Sequence, residues 1–179
     1  MGDSLSAAYG IEIEEGWVNL LGNRLDDYDT NNNWHVVNAS ISGETTTGGY
    51  QRLPKLIEEY RPHICIIALG ANDGLRGQSL GLMKNNLEGM VEICNADGQS
   101  LLVGMMLPPN YGAAFTNAFQ KAFQDTAEMY NTKLVDFMLE SIALQDEYFQ
   151  ADGLHPTAQA QPLILDTLWV ELEQILNNN

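Results

Sequence analysis

Five residues could cooperate in acyl transfer if folding brought them together. Ser4 lies in Gly2-Asp3-Ser4-Leu5-Ser6, and a serine hydroxyl becomes a nucleophile when a base sits beside it. Asp152 and His155 are three residues apart in Asp152-Gly153-Leu154-His155-Pro156. One turn at that spacing can set the carboxylate against one imidazole nitrogen, leaving the other free to take the Ser4 proton. The same chemistry needs donors aimed where negative charge develops on the attacked oxygen. The backbone N–H groups of Ser4 and Gly43 and the side-chain amide of Asn72 can supply three. Glycine at 43, in Ser42-Gly43-Glu44-Thr45, permits close backbone approach. Asn72 stands in Gly70-Ala71-Asn72-Asp73.

Each segment has a plainer reading. Gly-Asp-Ser is a common turn, and Ser-Gly-Glu-Thr could be a loop with a helix cap. Asn72-Asp73-Gly74 is a turn signal, and Asp152 with His155 would pass for a surface pair. Joint occurrence in chain order is what favours chemistry.

These residues need a scaffold, and the hydrophobic pattern supplies one. Residues 16–29 carry apolar side chains at helical spacing, and Trp34 to Ala39 (WHVVNA) has the composition of a strand. Residues 49–60 are predicted helical despite Pro54. Residues 63–69 (HICIIAL) are apolar throughout, as in a strand covered on both faces. Helices are predicted over 79–97 and 113–131, and strands over 100–107 and 133–137. The last helix spans about 157–176, with Pro162 near its start. Such alternation predicts an α/β sandwich with a mainly parallel sheet and helices on both faces. Three of the four segments above fall where a predicted strand gives way to a loop. Ligands bind at the carboxyl ends of strands in open parallel sheets, so Gly43 and Asn72 should converge on one crevice. Asn31–Asn33 is expected to be a polar loop and Asn177–Asn179 a frayed tail.

Composition narrows the function. The 179 residues suit one domain, 1–179, with one real core. Eight basic against 24 acidic residues give a formal charge of −16, which disfavours nucleic acid as a partner. No apolar run approaches the roughly 18–20 residues that span a bilayer, so no stable membrane insertion is expected. Met1-Gly2-Asp3 shows no basic or apolar leader, and the compartment stays open. Cys65 and Cys94 read as buried free thiols. His35 and His63 lie within and at the start of predicted strands and read as structural. With those two set aside, the three histidines are too few for a two-metal phosphoesterase. No metal and no cofactor is expected.

Taken together, Ser4, Gly43, Asn72 and His155, with Asp152 at an Asp-x-x-His position, resemble the four blocks of the GDSL/SGNH hydrolase family over nearly the whole chain. Asn38-Ala-Ser-Ile-Ser-Gly-Glu-Thr45, Gly70-Ala-Asn-Asp-Gly-Leu-Arg-Gly77 and Leu107-Pro-Pro-Asn-Tyr-Gly112 are similar to its bacterial thioesterase I/arylesterase/lysophospholipase branch. The resemblance implies a three-layer α/β/α flavodoxin-like fold and hydrolysis through an acyl-serine, without metal. It implies that Asp3 supports the nucleophile turn. It also implies that Gly74, Leu75 and Arg76 on one loop, and Leu107, Pro108 and Tyr111 on another, wall an acyl groove. The expected partner is a small acyl ester or thioester of short to medium chain, met by a monomer or weak dimer. A periplasmic or secreted location follows by resemblance only. A carbohydrate acetylesterase and an inactive acyl-binding relative are the alternatives.

One departure from the family stands out. Its members place a buried strand before Gly-Asp-Ser, and here only Met1 precedes the motif. In a 2-1-3-4-5 order that strand is central, so the first strand is expected to be largely missing. Either the sequence is a truncated form, or the sheet closes up, or another segment fills the slot.

Overall fold

The computed structural model describes residues 1–28 and 34–177. Asp29 at the end of the first predicted helix, the predicted loop Asn31–Asn33, and the last two tail residues lie outside the described residues. Three parallel strands form the sheet: β1 (Ile64–Ile67), β2 (Gln99–Val103) and β3 (Lys133–Val135), in the order β1-β2-β3. Ile66 pairs with Leu101, and Leu101 pairs with Lys133. Six α-helices surround them: α1 (Trp17–Tyr28), α2 (Thr46–Tyr60), α3 (Ala71–Leu75), α4 (Leu80–Asn95), α5 (Ala113–Tyr130) and α6 (Gln161–Leu176).

The two-residue period of β2 separates two cores. Leu101 and Val103 face α1 and α6, meeting Trp17, Leu21, Ile164 and Leu168. Leu102 faces the other way, toward Met83, Leu87 and Met90 of α4 and Phe119 and Phe123 of α5. This is the α/β/α layering predicted from the sequence. Ser79 accepts a hydrogen bond from Leu82 N–H at 3.3 Å and caps α4. Pro162 sits in the first turn of α6, where its missing N–H costs nothing. Pro54 lies inside α2, which starts three residues earlier than predicted. Among the described residues no helix is long and apolar enough to cross a membrane.

The region around the first strand departs from expectation in one respect. Trp34–Ala39 forms no strand. Its composition favours extended backbone, but a ladder needs a neighbour, and across from it lies a cavity of about 340 Å³. Trp17, Trp34 and Ser40 line that cavity, and each has a buried polar atom without a hydrogen-bond partner in the protein. β1 forms the far wall, through Ile64, Cys65 and Ile66. Among the described residues the slot is bridged at its far end, where the Met1 ammonium donates to the Ile66 carbonyl at 2.9 Å. Gly2 pairs with Ala68 in parallel, the Ala68 N–H donates to the Met1 carbonyl at 2.9 Å, and the Ile41 N–H donates to the Gly2 carbonyl at 3.0 Å. Those bonds fasten the start of the chain beside the carboxyl end of β1.

Candidate active site

The turn that carries Ser4 is built by Asp3. Its carbonyl accepts from Ser6 N–H at 3.1 Å and Ala7 N–H at 3.0 Å, winding residues 3–7 tightly. Its carboxylate accepts from Leu5 N–H at 3.0 Å and from Asn72 Nδ2 at 3.0 Å. Burial pushes the Asp3 carboxyl above its ordinary value, against the opposing pull of those two donors and of His155. Asp3 therefore spends one amide hydrogen of Asn72 and leaves the second for a ligand.

His155 arrives on the loop before α6. His155 Nε2 lies 2.9 Å from Ser4 Oγ, and Nδ1 lies 2.6 Å from Asp152 Oδ2. With the proton on Nδ1, the Ser4 hydroxyl donates to Nε2. Asp152 Oδ1 also accepts from the backbone N–H groups of Leu154 at 2.9 Å and His155 at 3.0 Å. The His155 backbone N–H, then the imidazole, then the Leu154 N–H hold the Asp152 carboxyl well below the usual carboxylate range. It stays ionised and orients the ring.

Gly43 and Asn72 are joined through Arg76. Gly43 adopts φ +78°, a left-handed conformation that favours glycine. Arg76 Nη2 donates to the Gly43 carbonyl at 2.9 Å and to Asn72 Oδ1 at 3.3 Å, tying those two blocks together. Below them, buried Asp73 accepts from Thr46 N–H at 2.9 Å and Thr46 Oγ1 at 2.6 Å. The carboxylate thus closes the first turn of α2 from across the fold, and Asn86 Nδ2 completes the network at 3.1 Å from Thr46 Oγ1.

Ser4, Asn72, Asp152 and His155 therefore meet around one point, with Gly43 joined to Asn72 through Arg76. The groove residues divide. Leu75, Arg76, Pro108 and Tyr111 are exposed, and Tyr111 Oη donates to the Leu75 carbonyl at 3.0 Å, joining the two loops. Gly74 and Leu107 are buried instead. A Cβ at Gly74 would lie 2.7 Å from Phe119 and 2.8 Å from Leu107, so both belong to the floor beneath the loops. His35 and His63 are exposed and take no part. Sequence reasoning missed Gln150. Its Nε2 donates to the Tyr9 carbonyl at 2.8 Å and the Pro156 carbonyl at 3.0 Å, and its backbone N–H donates to the His155 carbonyl at 2.8 Å. No local pattern around a single glutamine marks such a clamp.

Known proteins show the same arrangement of chain. Residues 1–162 match the GDSL-like Lipase/Acylhydrolase family. Esterase TesA of Pseudomonas aeruginosa is 44% identical over 98% of this chain and 87% of its own length. Thioesterase 1/protease 1/lysophospholipase L1 of Escherichia coli K12 is 34% identical over all of this chain and 84% of its own. The structure of the psychrotrophic esterase EstA from Pseudoalteromonas, inhibited by monoethylphosphonate, superposes with a TM-score of 0.92 at 41% identity. That match covers 99% of this chain and 96% of the other.

Proposed function

The chain belongs to the GDSL-like lipase/acylhydrolase family, and from that premise we propose that it hydrolyses carboxylic esters of short to medium acyl chain through an acyl-serine. The observation that carries the reading is the relay from Asp152 through His155 to Ser4, with separations of 2.6 and 2.9 Å. His155 Nε2 takes the hydroxyl proton as Ser4 Oγ bonds to the substrate carbonyl carbon. The fixed negative charge of Asp152 stabilises the imidazolium that forms. The carbonyl oxygen, now an anion, accepts hydrogen bonds from the Ser4 and Gly43 N–H groups and from the free Asn72 hydrogen. His155 then gives its proton to the departing alcohol, and the acyl group stays on Ser4. Water, deprotonated by the same imidazole, releases the acid.

Thioesters and lysophospholipids fall within the same scheme, since only the leaving group changes. The name of the Escherichia coli relative supports that breadth. Leu75, Pro108 and Tyr111 are assigned to the acyl side of the cleft, as exposed apolar surface beside the donors. Ser4→Ala is expected to lower kcat/KM for nitrophenyl butyrate by about 10⁴–10⁶. A serine-directed phosphonate should label Ser4, and labelling at another residue would overturn the assignment.

A further inference from the structure

We propose that Tyr9 is a specificity-determining residue whose exposed ring receives the leaving group and favours aryl over alkyl esters. The proposal rests on the acyl-serine reading above and names the substrate class of the same site.

The Tyr9 ring lies against His155, with centroids 4.4 Å apart and planes tilted by 36°. Even so, Tyr9 is 52% exposed. An exposed tyrosine on a loop ordinarily samples several rotamers, but this one is held at its backbone from both sides. Its N–H donates to the Ser4 carbonyl at 3.3 Å, and its carbonyl accepts from Gln150 Nε2 at 2.8 Å. Gly10 follows with φ +76°, and a Cβ there would lie 2.2 Å from Gln150 Oε1. The glutamine packs on that glycine while gripping Pro156 and His155 with its other bonds. Gln150, through its side chain and its backbone N–H, therefore ties the backbone of Tyr9 to that of the His155 loop.

The chemistry decides what meets that ring. His155 Nε2 must protonate the departing oxygen, which brings that oxygen within about 3 Å of the nitrogen. Whatever is bonded to the oxygen then lies beside the imidazole, against which the half-exposed Tyr9 ring is packed. A phenyl group can stack there at an ordinary aromatic separation, and an ethyl group covers only a fraction of the ring. The acyl portion is assigned above to the side of Leu75 and Tyr111, so in this proposal the two ends of the ester are read by different residues.

The experiment compares kcat/KM for phenyl butyrate and ethyl butyrate, because that constant reports acylation, in which the leaving group departs. The ratio of the two should fall about 3–10-fold in Tyr9→Leu and Tyr9→Ala and stay near the parent value in Tyr9→Phe. The leucine variant keeps bulk over His155 without an aromatic face, and circular dichroism checks that each variant folds. Equal losses on both esters would mean that Tyr9 only holds the imidazole, and would overturn the proposal. So would an unchanged ratio. Failure of the parent protein to cleave either ester would instead bring down the hydrolase reading itself.

Discussion

β2 and the Trp34–Ala39 segment have similar compositions and opposite fates. Both are short, apolar and rich in residues that favour extended backbone. Leu101, Leu102 and Val103 of β2 are at most 1% exposed, paired on both edges and covered by helices on both faces. Trp34, Val36 and Val37 are only half-buried, and they face a cavity whose far wall is β1. The difference teaches that strand propensity is a statement about fit to neighbours. Where a neighbour supplies donors and acceptors the sequence becomes a strand, and where it does not the same residues stay irregular.

Stability measurements can break this comparison most directly. Leu102→Ala should cost about 2–5 kcal/mol by urea denaturation, as expected for a fully buried leucine between two layers. Val37→Ala should cost less than about 1 kcal/mol, because the side chain borders empty space and is already partly exposed. Equal costs would mean that the two regions are packed alike. The glutamine that ties the first loop of the chain to the His155 loop comes next. Gln150→Ala is expected to lower kcat about 10-fold with a smaller change in KM, since it loosens the angle between Ser4 and His155 and reaches the substrate only through Tyr9. A change in KM alone would show that Gln150 acts on binding.

The smallest effect concerns Asp3, at the border between the regions. Its folded pKa is raised by burial, so its favourable contribution is present at low pH and is lost as pH rises through the folded value. Asp3→Asn should therefore melt no lower than the parent near neutral pH, with the advantage shrinking in acid. Its turnover should still fall, because Asn72 loses the carboxylate that fixes its amide. An advantage that grew on acidification would reverse the assigned sign.

The sequence made much of this legible, for identifiable reasons. The motif segments are short and chemically distinctive, so Ser4, Asp152 and His155 could be singled out before any fold was known, and the structure sets Asp152 2.6 Å from His155 and His155 2.9 Å from Ser4. Long amphipathic runs such as those of α4 and α5 announce their own period. What stayed hidden depends on distance in the chain. Asp73 closes the first turn of α2 from 27 residues away, and Gln150 reaches Tyr9 across 141. Neither bond leaves a mark on its neighbours. Ala71–Leu75 reads as a turn yet folds as a short helix, because Gly74 fits under Phe119 and Leu107, which no local rule encodes.

Carrying His155 on a loop whose residues 151–154 are exposed has a thermal corollary. Regions with few buried partners open at lower free energy than the body of a protein. On warming, the loop that bears the imidazole should come loose while β2 and its helices still hold. Catalysis then fades before the far-ultraviolet signature of the fold does, and an inactivation temperature reports the grip on one turn of chain, not the melting of the whole.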